Sequence, residues 1–520
     1  MNRTSLIGLQ LIGHNFSGEG DHTFRAFAPQ QQQWLPQEFR EATTGETDTA
    51  LNLAAQAFNI YKKTSSAQRA AFLTAIAEEI TALGDELIHV AASESGLPLA
   101  RLQGERDRTT GQLRLFAALL TEGSWVNARI TTPTPDLRQM QIPIGVTGIF
   151  GASNFPLAFS VAGGDTTAAL AAGCTVVFKA HPAHPHTSHL TATAIRKASL
   201  RTDMPDGVFS LLHGTSHETG QYLAAHPLVA AIAFTGSFQG GKALYDTATR
   251  RAVPIPVYAE MGSVNPVFFL PGILQEQGAA LATAFLQSLT MGTGQFCTNP
   301  GLFLTSAGDA SEAFIHALQR GISSMPTGYM LTPGILKAYQ QGIATLQEQG
   351  VTLLGKAGSA DQQATPSLLQ ITAAQALENP ALCHEVFGPS SLHIHAGGIE
   401  ELYTLARRLE GQLTATIHGT TDDLQEHATL IDILREKAGR IIINGFPTGV
   451  AVSHAMVHGG PWPATTPAAG TSVGTMAIYR FCRPVCYQDF PAYLLPPELQ
   501  DGNPLQIWRQ INGELSKNPL

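Results

Sequence analysis

Cysteine is scarce in this chain: there are five in 520 residues, an odd number with no CxxC pair. That excludes a disulfide-built scaffold and points to free thiols in a reducing cytoplasm. Charge is also sparse, at 14% of residues with a formal net charge of −9. With no basic run, a nucleic-acid partner is not expected. No uncharged apolar stretch is long enough to span a bilayer; the best candidate, Phe155 to Phe178, carries Asp165 and several Thr and Gly residues. The apolar residues of Met1 to Phe16 are broken by Gly8, Gln10, Gly13 and His14, which leaves no secretory h-region. A GxGxxG dinucleotide fingerprint is missing as well. What remains is a globular composition, 44% hydrophobic, long enough for two or three cores.

The order of apolar segments predicts an α/β fold. The first part, to about Leu120, reads as helical, with apolar residues at helical spacing over Ala50–Ile80 and Asp107–Leu120. Trp125 to Ile142 reads as extended edge strands. From Gly145 short apolar runs alternate with helices: Val146–Phe150, Thr175–Lys179, Gly207–Leu212 and Ala230–Phe234. That alternation predicts a parallel sheet covered on both faces. A second series begins at Pro254, with strands at Val257–Glu260, Asn265–Leu270, Phe303–Thr305, Val351–Leu354 and Arg440–Asn444. The apolar, proline-rich stretch Ala477–Pro496 is a candidate partner for the Trp125–Ile142 strands.

Several short motifs carry possible chemistry. In Gly292-Thr-Gly-Gln-Phe-Cys297-Thr-Asn-Pro-Gly301 a cysteine lies in a glycine loop after a helix. A free cysteine is more often a small buried hydrophobe. The polar Thr298 and Asn299 that follow favour a nucleophile, whose thiolate forms an acyl intermediate. Glu260 ends an apolar strand and is a candidate general base, its pKa expected to be raised by burial. Asn154, in a glycine-rich turn after a strand, can donate to an oxyanion. Phe234-Thr235-Gly236-Ser237 reads as strand, tight turn and helix start, a place where phosphate binds. Lys179 ends another strand within reach of such a ligand. His181, His184, His186, His393 and His395 lack ligand partners at metal spacing, so no metal is expected. Cys482 and Cys486 are expected to pack in an apolar segment.

Taken in order, Asn-Phe-Pro156, Lys179, Phe-Thr-Gly-Ser237, Glu260-Met-Gly, Gln-Phe-Cys297 and Glu385-Val-Phe-Gly-Pro389 resemble the aldehyde dehydrogenase superfamily over about residues 50 to 450. Lys-Ala-His-Pro-Ala-His-Pro185, Ala259-Glu-Met-Gly-Ser-Val-Asn-Pro-Val267 and Gly-Gln-Phe-Cys-Thr-Asn-Pro-Gly301 are most similar to the 2-oxoglutarate semialdehyde (2,5-dioxovalerate) dehydrogenase branch. The resemblance implies a Rossmann-like cofactor domain (1–122 and 146–259), an α/β catalytic domain (260–447) and a small β oligomerisation extension (123–145 and 471–496), in a homodimer or homotetramer. It also implies NAD(P)-dependent oxidation of an aldehyde to an acid through a thioester on Cys297, with Glu260 and Asn154 catalytic. Lys179, His181, Ser216, Gly220, Thr235, Gly236, Ser237, Glu385 and Phe387 would hold the cofactor. Phe155, Phe159 and Phe296 would line the aldehyde tunnel. Broad use of aliphatic aldehydes is the alternative substrate range, and an acylating enzyme or a non-catalytic protein of this fold are the rival classes. Two departures stand out: Met-Gly-Ser-Val264 replaces the usual Leu-Gly-Gly-Lys, and Pro182 replaces the usual acid three residues after the lysine. Without that acid, NADP is expected to be accepted and preferred, with His181 helping if protonated. For a substrate carboxylate the candidates are Arg108 and Arg114, with Thr109 and Gln112 nearby; Arg108 and Gln112 share a helix face and Arg114 does not.

Overall fold

The computed structural model describes residues 8–520; the first seven residues of the segment read for a leader lie outside them. Helices begin later than the sequence suggested. The chain first forms the strands Gln10–Ile12, Asn15–Ser17, Thr23–Ala28 and Gln33–Arg40. Gly13, at φ 57°, turns the first pair into a hairpin whose Leu11 joins the large sheet opposite Leu211. These strands are too short, and too mixed in polarity, for a period to be read from them. The helix Thr44–Tyr61 then starts at a capping box, in which Thr43 and Glu46 satisfy each other's backbone amides.

The first large sheet has eight strands. Its centre is five parallel strands in the order Val257–Glu260, Val229–Thr235, Val146–Phe150, Thr175–Lys179 and Phe209–Leu212. Val146–Phe150 and Thr175–Lys179 are buried throughout, as continuous apolar runs must be when helices cover both faces. Val257–Glu260 belongs to this sheet and not to the second series, because it pairs with Val229–Thr235. The antiparallel pair Thr465–Thr466 closes that edge.

The chain runs outward from Val146–Phe150 to Phe209–Leu212, then returns to the other side of Val146–Phe150 with Val229–Thr235. That reversal opens a crevice at the carboxyl ends of the strands. The register lines up Lys179 beside Leu212, Phe150 beside Lys179 and Phe234, and Thr235 beside Glu260 along that edge.

The second sheet has seven strands, ordered Thr352–Lys356, Ser367–Thr372, Ser390–Ala396, Leu302–Ser306, Val267–Phe269, Gln412–His418 and Ala438–Ile443. All its pairs are parallel except the first. A third sheet joins Cys482–Gln488 to Leu137–Pro143, and Arg129–Thr131 to Arg509–Ile511. On that sheet Cys482 is buried but Cys486 is exposed, so the packing role expected of Cys486 does not hold.

Candidate active site

Cys297 follows the short helix Met291–Gly294. Its loop is fixed by chemistry specific to these residues. Gly294 has φ 64°, and a Cβ there would lie 2.4 Å from the Gly388 carbonyl carbon, so only glycine fits. The Asn265 amide donates to the carbonyls of Cys297 and Asn299, both at 2.9 Å. Asn299 Nδ2 donates to Gly388 O at 3.0 Å. Asn154 is buried, and its Nδ2 donates to Gln295 O at 3.0 Å. An amide nitrogen carries two protons, so one donor remains for another acceptor.

Glu260 ends its strand fully inside the protein. His458 Nε2 approaches Glu260 Oε1 at 2.8 Å and Cys297 Sγ at 3.4 Å. The Ser472 hydroxyl donates its one proton to Glu260 Oε2, with His458 O a second acceptor within reach at 3.1 Å. Burial alone would raise the Glu260 carboxyl. The contacts to His458, Ser472 and Cys297 outweigh it and hold the carboxyl below its ordinary value. This reverses the sequence expectation of a raised pKa, because no sequence pattern announced His458 or Ser472. Burial, and then the neighbouring Glu260 charge, push the Cys297 thiol well above its ordinary value, so the resting residue keeps its proton. Among the described residues, Glu260, Cys297 and His458 are the one group of possible metal ligands that comes together. The histidines at 181, 184, 186, 393 and 395 take no part in it.

Beside this group, Phe155 packs edge-on against Phe159 and Phe296, with ring centroids 5.2 and 5.5 Å apart. Phe159 also lies 6.0 Å from the His458 ring. The helix Leu99–Glu122 supplies the opposite wall. Arg101 stacks over Phe155 and Phe296, and Arg108 over Phe159 at 4.8 Å. Arg101 was missed in the sequence, although it stands two helical turns before Arg108. Arg114 is exposed, away from the site.

The remaining candidates line the crevice of the first sheet. Ser237 caps the helix Phe238–Thr249 by accepting from Gly240 N, which leaves that helix start at the carboxyl end of Val229–Thr235, directly after Thr235 and Gly236. Gly236 is pressed against the Phe234 ring, where a Cβ would lie 2.6 Å away. Ser216 caps the neighbouring helix His217–Ala225, and Gly220 of that helix packs on Phe150. Lys179 Nζ donates to Gly214 O at 2.5 Å, and burial lowers its pKa to about 8. Glu41 stands close enough to Lys179 for the two charges to interact. The protonation on which a helping role for His181 was conditional is disfavoured. Burial, then His184 and Lys179, lower its pKa well below the ordinary value, and its Nδ1 accepts from Ala183 N.

Glu385 opens onto the cleft from the catalytic side. Solvent reaches its side chain, yet the surrounding protein pushes the carboxyl up to about 7, against an opposing hydrogen bond from the Ser263 backbone. A Cβ at Gly262 would fall 2.1 Å from Glu385 Oε2. A side chain at Gly262 would therefore displace the Glu385 carboxylate from its present position. The Ser263 hydroxyl donates to Gln412 Oε1 at 2.9 Å and ties the Met-Gly-Ser turn to the second sheet. Phe387 stands half-buried two residues on.

A cysteine, a buried carboxylate and a histidine thus come together next to a turn whose Asn154 amide has a proton to spare, in a chain with a doubly wound parallel sheet. The chain belongs to the aldehyde dehydrogenase family, which matches residues 16–464. It is 50% identical over 521 residues to alpha-ketoglutaric semialdehyde dehydrogenase 2 of Azospirillum brasilense, covering 98% of this chain and 99% of that one. It is also 50% identical to the alpha-ketoglutaric semialdehyde dehydrogenase of Acinetobacter baylyi, over 92% of this chain and 93% of the relative. The NAD+ complex of an aldehyde dehydrogenase from Bacillus cereus shares the fold, with a TM-score of 0.81 at 20% identity, covering 93% of this chain and 97% of that one. The protein is thus an aldehyde dehydrogenase. Among the described residues, no helix is long and apolar enough to cross a membrane.

Proposed function

We propose that the protein oxidises 2-oxoglutarate semialdehyde to 2-oxoglutarate, with Cys297 as nucleophile. The observation that carries the reading is the Cys297–His458–Glu260 contact chain beside the Asn154 amide, in a chain half identical to two enzymes named for that semialdehyde. Cys297 loses its proton to the buried acid–base pair and attacks the aldehyde carbon. The oxyanion is met by the spare Asn154 Nδ2 proton and the Cys297 backbone N–H. When bound, the nicotinamide ring would supply the hydride acceptor. Once the thiol proton has passed to solvent, Glu260 is anionic again and draws a proton from the water that cleaves the thioester, and the departing Cys297 thiolate regains a proton. A retained hydrolytic base weighs against transfer of the acyl group to coenzyme A.

The residues along the first crevice fit a dinucleotide. Its phosphates would meet the helix start at Ser237, and its adenosine ribose would lie by Lys179 and Ser216. Glu385 would take the nicotinamide ribose. Pro182 cannot bind ribose hydroxyls or repel a 2′-phosphate, so the reading is that NADP is preferred and NAD accepted, with His181 present as a neutral donor at most. The third sheet would form the oligomerisation extension of a homodimer or homotetramer. Tyr493, Leu494 and Leu515 near it are more than half exposed, which supports burial against a second copy. Five free thiols support a reducing cytoplasm.

The test is a panel of aldehydes assayed with NAD and with NADP. A charged-end contact should give the semialdehyde roughly a 10- to 100-fold advantage in kcat/KM over a neutral aldehyde of similar length. Equal efficiency on hexanal would establish a general aliphatic aldehyde oxidiser instead.

A further inference from the structure

The helix Leu99–Glu122 turns a charged face toward the nucleophile. Arg101, Glu105 and Arg108 stand at i, i+4 and i+7, the spacing that puts them on one stripe. Glu105 Oε1 is fully used, accepting from the amides of Leu157 and Ala158 at 2.8 and 2.9 Å. Arg101 Nη2 donates to Asn154 O at 3.0 Å, but its Nη1 is buried without a hydrogen-bond partner. In Arg108 all three guanidinium nitrogens are buried and none has a hydrogen-bond partner. A guanidinium stays charged in proteins, so this stripe carries more positive than negative charge in either form of Glu105.

An unpaired buried charge is expensive, and persists when something else completes it. The Arg108 guanidinium interacts electrostatically first with Glu105, one turn before it, and then with Cys297 and Glu260, and it rests on Phe159, whose ring also flanks His458. It therefore lies within electrostatic reach of the thiol, on the aromatic cluster beside it. A guanidinium presents a fork of N–H donors that matches a carboxylate in plane.

We infer that Arg108 is the anchor for the substrate's distal carboxylate, with Arg101 as a second, weaker donor that also fixes the Asn154 turn. The inference rests on the semialdehyde reading above and adds the residue that enforces it. With the carboxylate on Arg108, the chain of the substrate lies over Phe159 and its aldehyde reaches Cys297. A neutral aldehyde leaves the guanidinium nitrogens without a hydrogen-bond acceptor, as they are in the free protein.

The experiment compares wild type with Arg108→Met, whose apolar stem keeps the packing on Phe159, and with Arg108→Lys, which keeps charge but loses the fork. The readout is the ratio of kcat/KM for 2-oxoglutarate semialdehyde to that for pentanal, together with inhibition by the product 2-oxoglutarate as a direct binding probe. Arg108→Met should lower the ratio about 10- to 100-fold and weaken product inhibition by a similar factor, and Arg108→Lys should fall between. Arg101→Met should lower the ratio less. A wild-type enzyme with no preference for the charged aldehyde overturns the substrate reading and the anchor together. A wild-type preference that survives intact in Arg108→Met overturns the anchor alone. If both aldehydes lose equally and the pH profile of Cys297 alkylation shifts, Arg108 acts on the thiolate and the anchor is again overturned.

Discussion

Replacing His458 by phenylalanine would remove a side chain that contacts both Glu260 and Cys297 while keeping an aromatic ring in place. His458 and Glu260 are 1% and 3% exposed, so solvent cannot substitute for the lost contact. Breaking a buried pair by deleting one partner costs about 3–5 kcal/mol, because the survivor is left charged and dry. Ser472 still donates to Oε2, which places the expected loss at the lower end, about 3 kcal/mol. The pH dependence gives a sharper signature. In wild type the Glu260 carboxyl is held low, so its contribution to stability is present above the unfolded value of about 4.3 and is lost as pH falls through the folded value. Without His458, burial dominates and the folded value should rise above that of the unfolded chain. The contribution then reverses: it is complete below about 4.3 and is lost as pH rises through the new folded value. The deficit against wild type should therefore be small in acid and full in mild alkali, read by denaturant unfolding across that range. The acid limb of thioester hydrolysis should move upward in parallel, and His458→Gln, which restores an N–H, should recover part of both effects. A pH-independent deficit, or an unmoved acid limb, would refute the assignment of Glu260's low value to His458.

Cys297→Ala should abolish aldehyde oxidation while cofactor still binds, measured by reduced-cofactor formation and by cofactor fluorescence titration; substantial turnover would remove Cys297 as the nucleophile. Glu260→Gln should spare the first burst of reduced cofactor and slow the later turnovers, so that an acyl-enzyme accumulates in mass spectra; equal loss of both phases would mean that Glu260 is not the hydrolytic base. Glu41→Gln should raise the NADP-to-NAD ratio of kcat/KM several-fold, since Glu41 is a carboxylate beside Lys179 where position 182 offers none; an unchanged ratio would place the 2′-phosphate elsewhere.

The parallel strands at Val146–Phe150 and Thr175–Lys179 were legible to the residue, because a strand buried on both faces is a continuous apolar run with abrupt ends. The strands before Thr44 were not, since short edge strands mix exposed and buried positions without a period. Val257–Glu260 was seen as a strand but given to the wrong sheet; pairing partners are decided by tertiary contacts that a local pattern does not carry. In the site, Cys297, Glu260 and Asn154 stood out through the glycines and turns around them. His458 and Ser472 lie in a Gly- and Pro-rich stretch with no secondary-structure signal, far along the chain from Glu260. Arg101 had a readable cue in its seven-residue spacing from Arg108, on a helix whose face toward the site only the fold reveals.

The strand Val257–Glu260 is closed on its outer edge by Thr465–Thr466, and Glu260 is held by His458 and Ser472 on either side of that pair. The surroundings of Glu260 are thus completed by a segment the ribosome delivers some two hundred residues after Glu260 itself. A nascent chain that has already folded its first sheet has the carboxylate in place but nothing to orient it, and its sheet edge is open. On the proposed mechanism, chemistry at the thiol is in this way tied to completion of the chain: a product cut short before this return would have Cys297 without a governed Glu260.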